Sequence, residues 1–73
     1  MNYYLKRGNA KDKLGDFKGA IEDFSKAIKL DPKSDEAYWR RGNSKKRIHD
    51  YPGAQRDLKR ASELGAKQEM NYN

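Results

Sequence analysis

The stretch YLKRGNAK, residues 4–11, returns 34 positions later as YWRRGNSK, residues 38–45. The agreement continues behind each copy at the same offset, through the pairs Gly19 and Gly53, Ala20 and Ala54, Asp23 and Asp57, Ala27 and Ala61, and Leu30 and Leu64. A fixed period of this size indicates a repeat architecture. We therefore divide the chain into two units, residues 1–34 and 35–68, and a tail, residues 69–73, that would begin a third helix.

Length and charge narrow the function classes. A chain of 73 residues forms at most one small domain of marginal stability, and without cysteine it has no disulfide or thiolate metal site. The net charge of +6 favours acidic partners. No apolar run approaches the ~20 residues of a membrane span, and no signal-peptide core follows Met1. We therefore expect a cytoplasmic protein without a membrane association.

Apolar spacing and capping residues predict four helices of about 13 residues. Their expected bounds are residues 2–14, 17–30, 35–48 and 51–64. Asp16, Ser34 and Asp50 are expected to cap the second, third and fourth helices, and Gly65 to end the fourth in a left-handed conformation. Short loops make consecutive helices antiparallel, so the sequence predicts an all-α fold of two stacked antiparallel helix-turn-helix hairpins.

Small residues are expected where the helices cross. We place Gly8 against Ala20 in the first hairpin and Gly42 against Ala54 in the second, which lets the helix axes approach closely. On the first helix Leu14 is expected to share the apolar face. On the second helix the expected apolar stripe runs through Ala20, Ile21, Phe24, Ala27, Ile28 and Leu30.

These residues resemble the tetratricopeptide repeat (TPR) family, whose unit of 34 residues folds as a helix-turn-helix. That family has six typical positions, which in order hold an aromatic residue, a small residue, Ala, a large apolar residue, Ala and Pro. In the first unit these positions are Tyr4, Gly8, Ala20, Phe24, Ala27 and Pro32. In the second unit they are Tyr38, Gly42, Ala54, Leu58, Ala61 and Ala66. In both units Arg replaces the usual leucine, at Arg7 and Arg41, and Lys the usual tyrosine, at Lys11 and Lys45. We interpret these as long side chains whose stems cover apolar surface while their charged ends reach water. The resemblance implies a right-handed α-solenoid that serves as a binding module and not as an enzyme.

In this family the first helix of each repeat lines a concave groove that holds a peptide. The helix face opposite the apolar stripe points to the same surface, and there we predict the partner-binding residues Leu5, Lys6, Asn9, Lys13, Trp39, Arg40, Asn43, Lys46 and Arg47. Trp39 is expected to anchor a partner, the alternative being that it only packs against Leu5. Asn9 and Asn43 can bond a peptide backbone, the alternative being two solvated amides. A carboxylate clamp like that of chaperone-binding members is not expected, because Leu5 and Arg40 stand where the clamp has Lys and Asn.

The leading hypothesis is a protein-protein interaction scaffold that binds an acidic or extended peptide on a basic concave face. A helical module for RNA or DNA is the less favoured alternative, based on the stripe Arg40, Arg41, Lys45, Lys46 and Arg47 beside Trp39. A purely structural or self-associating repeat is another, because two repeats leave terminal helices uncovered, through which we expect homo-oligomers. No catalytic, cofactor-binding or metal-binding residue is predicted. His49 is isolated in a turn, and Asp12, Asp16, Glu22 and Asp23 are interpreted as caps and surface charges.

Overall fold

The structure, a computed structural model, describes residues 2–66. Over this range it is all-α, as predicted, and the helices are α1 (Tyr3–Lys13), α2 (Phe17–Leu30), α3 (Asp35–Arg47) and α4 (Tyr51–Ala61). Each helix packs on its neighbour in the chain, so α2 lies between α1 and α3. The predicted tail, residues 69–73, lies outside the described residues, and the repeat limits at 34 and 68 stay predictions.

Side-chain caps fix where the helices begin. The carboxylates of Asp16 and Asp50 accept hydrogen bonds from the backbone N–H of Gly19 and Gly53, each at 3.0 Å. The Ser34 hydroxyl accepts from a backbone N–H of the first turn of α3, at 3.2 Å. These three caps agree with the predictions. α1 and α3 each end one residue earlier than expected, at Lys13 and Arg47, and α1 starts one residue later because Asn2 is its cap.

The end of α4 differs more from the prediction. The α-helix stops at Ala61 and not near Leu64, and one wider π-helical turn, Ser62–Ala66, follows it. Gly65 has the positive φ expected of a left-handed stop, 119°. The α-helix therefore ends before Gly65, and the non-helical conformation of Gly65 lies inside the turn that follows.

The turn inside each hairpin reverses at a residue with positive φ. Gly15 has φ 85°, and His49, at the same place 34 positions later, has φ 67°. An L-residue with a side chain pays a steric cost in this region. The second turn therefore has the same shape as the first at a higher conformational energy.

Two glycines allow the helices of each hairpin to approach closely. Gly42 has the partner that was expected, and Gly8 has a different one. A Cβ on Gly42 would lie 3.0 Å from Leu58 and 3.1 Å from the backbone oxygen of Ala54, as the predicted approach requires. A Cβ on Gly8 would instead meet the ring of Phe24, at 2.6 Å. The aromatic ring, and not Ala20, therefore fills the space that Gly8 leaves.

The core is small, and the apolar stripe does not extend to the helix ends. One cluster consists of Leu5, Ala20, Phe24, Ala27 and Ala37, with Tyr4 and Ile28 packed at its edge. In the second hairpin Ala54 and Ala61 are buried as well. Leu14 and Leu30 were expected on buried faces, but 85% and 68% of their surface is exposed. Leu30 is the last residue of α2 and Leu14 directly follows α1, and at these helix ends no other described helix covers them.

Candidate functional site: a basic pocket between the first and third helices

A pocket of about 380 Å³ opens between α1 and α3. Its lining residues are Asp12, Trp39, Arg40, Asn43, Lys46 and Arg47. All but Asp12 belong to α3, and all but Asp12 are among the predicted partner-binding residues. We call this surface the α3 pocket.

Trp39 forms the aromatic part of the α3 pocket. It is half-buried, and the Arg40 guanidinium lies 5.8 Å from the centre of its ring. Glu36, one turn earlier, accepts a hydrogen bond from Arg40 Nε at 2.9 Å. The arginine is therefore held between a carboxylate and an aromatic face, which orders a long side chain that would otherwise be mobile.

Two further cations complete the charge of the α3 pocket. The Arg47 guanidinium lies 4.7 Å from the ring centre of Phe17, at the start of α2. Lys46 is exposed and makes no ion pair within residues 2–66. The pocket thus has three cations and one carboxylate, that of Asp12, whose Oδ1 accepts a hydrogen bond from Ser44 Oγ at 2.9 Å.

A hydrogen bond fixes the orientation of the Asn43 side chain in the α3 pocket. Its Nδ2 donates to the carbonyl oxygen of Trp39 at 3.0 Å, one turn earlier on α3. This bond uses one of the two amide hydrogens and leaves the amide oxygen unengaged by it. The side chain is therefore oriented while it keeps a donor and an acceptor.

The predicted residues of α1 do not line the α3 pocket. Leu5 was expected on the groove face, but it is only 8% exposed and belongs to the core, because α3 covers that side of α1. Lys6 and Lys13 are exposed at the surface. Asn9 is half-buried, and its Oδ1 is a buried acceptor without a hydrogen-bond partner within the described residues. The acceptor assigned to a peptide backbone thus faces away from solvent.

A buried charge cluster in each hairpin was not foreseen. Asp57 is 4% exposed and accepts hydrogen bonds from Nε and Nη2 of Arg41, at 2.7 and 2.8 Å. Lys45 Nζ lies 3.0 Å from the same carboxylate. The interpretation that these arginine and lysine ends reach water is therefore incomplete, because a buried carboxylate on the facing helix holds them and only 19% and 18% of the two side chains stay exposed.

The first hairpin has the same cluster 34 positions earlier. Asp23, interpreted above as a surface charge, is 1% exposed. Arg7 grips it with Nε and Nη2, both at 2.8 Å, and Lys11 Nζ lies at 3.3 Å. The recurrence of all three residue types at one offset was the available signal, and it could have predicted the pairing.

The two carboxyls stay ionised for related reasons. The hydrogen bond from Arg7 is the main cause that lowers the pKa of Asp23, and Lys11 adds to it. Burial acts to raise the pKa of Asp57, but the bonds from Arg41 and Lys45 together outweigh it, so that pKa is lowered as well. In the folded chain both carboxylates are therefore anionic counter-charges.

This pairing shortens the basic stripe of α3. Arg41 and Lys45 face inward to Asp57, and Arg41 Nη1 also donates to Ser25 Oγ at 3.0 Å. Of the five cations counted in the sequence, three line the α3 pocket, and one of these, Arg40, is already paired with Glu36. Asp12 was not among the predicted partner-binding residues, although the sequence places it on the same groove-facing side of the first helix.

The described residues offer neither a metal site nor a membrane span. Between residues 2 and 66, no three His, Cys, Asp or Glu side chains come together as a possible metal site. None of the helices described there combines the length and apolarity that crossing a bilayer requires.

The chain is similar to a known repeat family and to a repeat-containing protein. A family model described as TPR repeat matches residues 8–48, more than half of the chain. A TPR repeat-containing protein of Methanocaldococcus jannaschii is 51% identical over 37 residues, which is 51% of this chain. The chain spans about 6% of the length of that curated relative.

Proposed function

Because the chain belongs to the tetratricopeptide repeat family, we propose that it is a protein-interaction module that holds an acidic or extended peptide segment in the α3 pocket. Repeats of this family are generally non-catalytic and bind proteins or peptides. The observation that carries the proposal is one pocket that combines an aromatic ring, a fixed amide and three cations.

The charge of the α3 pocket supports an acidic ligand. Arg40, Lys46 and Arg47 outnumber the single carboxylate of Asp12, which is already hydrogen-bonded to Ser44. A pocket lined mainly by one sign of charge raises the local concentration of opposite charge and speeds association. A carboxylate side chain of the ligand would therefore lie toward the open end, beside Lys46.

Trp39 and Asn43 would supply affinity and direction. A half-buried indole gives a large contact area with few rotatable bonds, as in many interface hot spots. The donor and acceptor of the Asn43 amide match the N–H and C=O of a backbone that is not in a helix. This pairing supports an extended segment, whose backbone groups are free.

Lys6, Asn9 and Lys13 are proposed as outlying contacts on α1. Lys6 and Lys13 are exposed, so their contribution would be to steer acidic ligands and not to hold them. Substituting them should change the association rate and its salt dependence more than the dissociation rate.

RNA or DNA binding has less support. A phosphate-tracking surface needs several free cations in line, and two of the five in the α3 stripe are bound to Asp57. If nucleic acid were the ligand, the logarithm of the affinity would fall steeply and linearly with the logarithm of salt concentration.

Self-association is also kept as a proposal. The outer face of α1 exposes Tyr3 and Leu14, with 61% and 85% of their surface in solvent, and α4 exposes Tyr51. Burial of such residues between two copies would stabilise both terminal helices. Sedimentation over a range of concentrations measures this, and a monomer at every concentration would contradict it.

A peptide array tests the peptide-binding proposal. Extended peptides of one length, with acidic, neutral or basic composition, are probed with the wild-type chain and with the double variant Trp39→Ala/Asn43→Ala. We expect acidic peptides to bind and the double variant to lose them. A control variant, Lys18→Ala, changes an exposed cation on α2 outside the pocket and should bind like wild type. Equal binding by all three proteins would overturn the proposal.

A further inference from the structure

The junction between the two hairpins shows which side-chain contacts form when a helix packs on a repeat of this chain. Two polar contacts join α3 to the first hairpin. Ser44 Oγ donates to Asp12 Oδ1 at 2.9 Å, and Arg41 Nη1 donates to Ser25 Oγ at 3.0 Å. Between them Ala37, fully buried, lies in the core. The first hairpin thus presents two acceptors, and α3 presents two donors.

The second hairpin presents the opposite chemistry on the side of α3 and α4 that none of the other described helices covers. In the 34-residue register Lys46 takes the place of Asp12, and Lys59 takes the place of Ser25. Both lysines are exposed, and neither makes an ion pair within residues 2–66. Both acceptors of the internal junction are therefore replaced by ammonium groups.

An apolar groove lies between α3 and α4 on this side. It has a volume of about 200 Å³ and is lined by Lys46, Tyr51, Ala54, Gln55 and Leu58. The ring of Tyr51, 57% exposed, takes the place of Phe17, whose ring carries the guanidinium of Arg47 at 4.7 Å. We call this groove, with Lys46 and Lys59, the α4 face.

The geometry points to the α4 face as a docking surface for an acidic amphipathic helix of another protein. That helix would carry two carboxylates three residues apart, at the places that Arg41 and Ser44 hold in the internal junction. The first carboxylate would lie opposite Lys59 and the second opposite Lys46, with a small residue one turn earlier, at the place of Ala37. A cation three residues after the second carboxylate would lie over the Tyr51 ring, as Arg47 lies over Phe17.

A second copy of this chain fits the α4 face poorly. Stacked in the same register, its α1 would bring Arg7 against Lys59 and Ala10 against Lys46. The first pair repels, and the second gives the ammonium no partner. Tyr3 would also bring a large ring to the place that the small, fully buried side chain of Ala37 holds in the internal junction. Self-association of the kind proposed above is therefore expected between α1 faces and not head to tail.

Two matched peptides test this inference. The parent peptide has the sequence of residues 34–48, and the acidic peptide is the same with Arg41→Glu and Ser44→Glu. Each is titrated into the ¹⁵N-labelled full chain, and the affinity is measured from chemical shifts of α4. We expect the acidic peptide to bind about tenfold more tightly. In the parent peptide Arg41 would repel Lys59 and Ser44 would give Lys46 no charge partner, whereas in the acidic peptide a carboxylate would lie opposite each lysine.

The charge-swapped chain decides between the possible sites. In the variant Lys59→Glu, at an exposed position, the preference should reverse toward the parent peptide. In Trp39→Ala the preference for the acidic peptide should persist, which separates the α4 face from the α3 pocket. A difference below twofold in wild type, or an acidic preference that survives Lys59→Glu and is lost in Trp39→Ala, would overturn the inference.

Discussion

Replacing one buried carboxylate tests the physical account of the second hairpin. In the variant Asp57→Asn, the side chain keeps its size but loses its charge and one acceptor oxygen. Arg41 then has two donors facing a group that can accept at only one atom, and Lys45 loses its counter-ion. The two cations remain between α3 and α4 without compensation.

The magnitude follows from how far the cations can reach water. Removing one partner of a buried ion pair costs about 3–5 kcal/mol. The Arg41 and Lys45 side chains are 19% and 18% exposed, so solvent offsets part of the loss and we expect the lower end, about 3 kcal/mol. A chain of 73 residues is stabilised by only about 4–11 kcal/mol in total. The melting temperature should therefore fall by about 12–24 °C.

Thermal unfolding followed by circular dichroism measures this, with Asp23→Asn as the matched control. In the first hairpin Arg7 and Lys11 are more exposed, at 38% and 31%, so they regain more hydration and the control should lose less stability. A drop below about 4 °C for Asp57→Asn, or an equal or larger drop for Asp23→Asn, would refute the reasoning.

Replacing the whole cluster provides a second check. In the triple variant Arg41→Leu/Lys45→Tyr/Asp57→Leu no buried charge is left unpaired. Replacement of a buried ion cluster by apolar residues is often neutral or stabilising, so this variant should melt above Asp57→Asn. A lower melting temperature than that of the single variant would show that the cluster acts by more than charge compensation.

The remaining predictions concern backbone, packing and pH. Gly42→Leu should unfold the second hairpin, because even a Cβ there lies 3.0 Å from Leu58, and an unchanged circular-dichroism melt would contradict the close approach. His49→Gly should stabilise the chain by about 0.5–1 kcal/mol, because φ is 67° there and the matching residue is Gly15, and a lowered melting temperature would contradict this. Because the pKa of Asp57 is lowered in the folded chain, its stabilising effect is complete above the ordinary pKa of 3.8 and is lost as pH falls below it. The wild-type melting temperature should drop there more than that of Asp57→Asn.

The fold could be predicted almost entirely, because its determinants are local and repeated. Asp16, Ser34 and Asp50 act as caps within three residues of the N–H groups they bind. The period itself supplies the stacking order. The helix ends were predicted less accurately. The π turn after Ala61 and the exposure of Leu30 depend on what packs at the ends of the helices and not on the local sequence pattern.

The candidate site was predicted in part. Trp39, Asn43 and Lys46 follow one another at spacings of four and three residues on one helix, so helical spacing alone brings them to one face. The expectation that Leu5 lies on the groove face was wrong. Leu5 stands at the border of two helix faces, and only the position of α3 decides that it is buried. The pairing of Arg41 with Asp57 joins two helices, and reading each helix alone leaves both charges on its surface.

The most direct test of the central claim is where an acidic peptide binds. An acidic peptide selected from the array is titrated into ¹⁵N-labelled wild-type chain, and the indole N–H of Trp39 and the side-chain amide of Asn43 are followed by NMR. These two signals should shift together with backbone signals of Lys46 and Arg47, and all of them should saturate at one affinity. Saturable binding that shifts the signals of α2 while the Trp39 indole stays unchanged would contradict it.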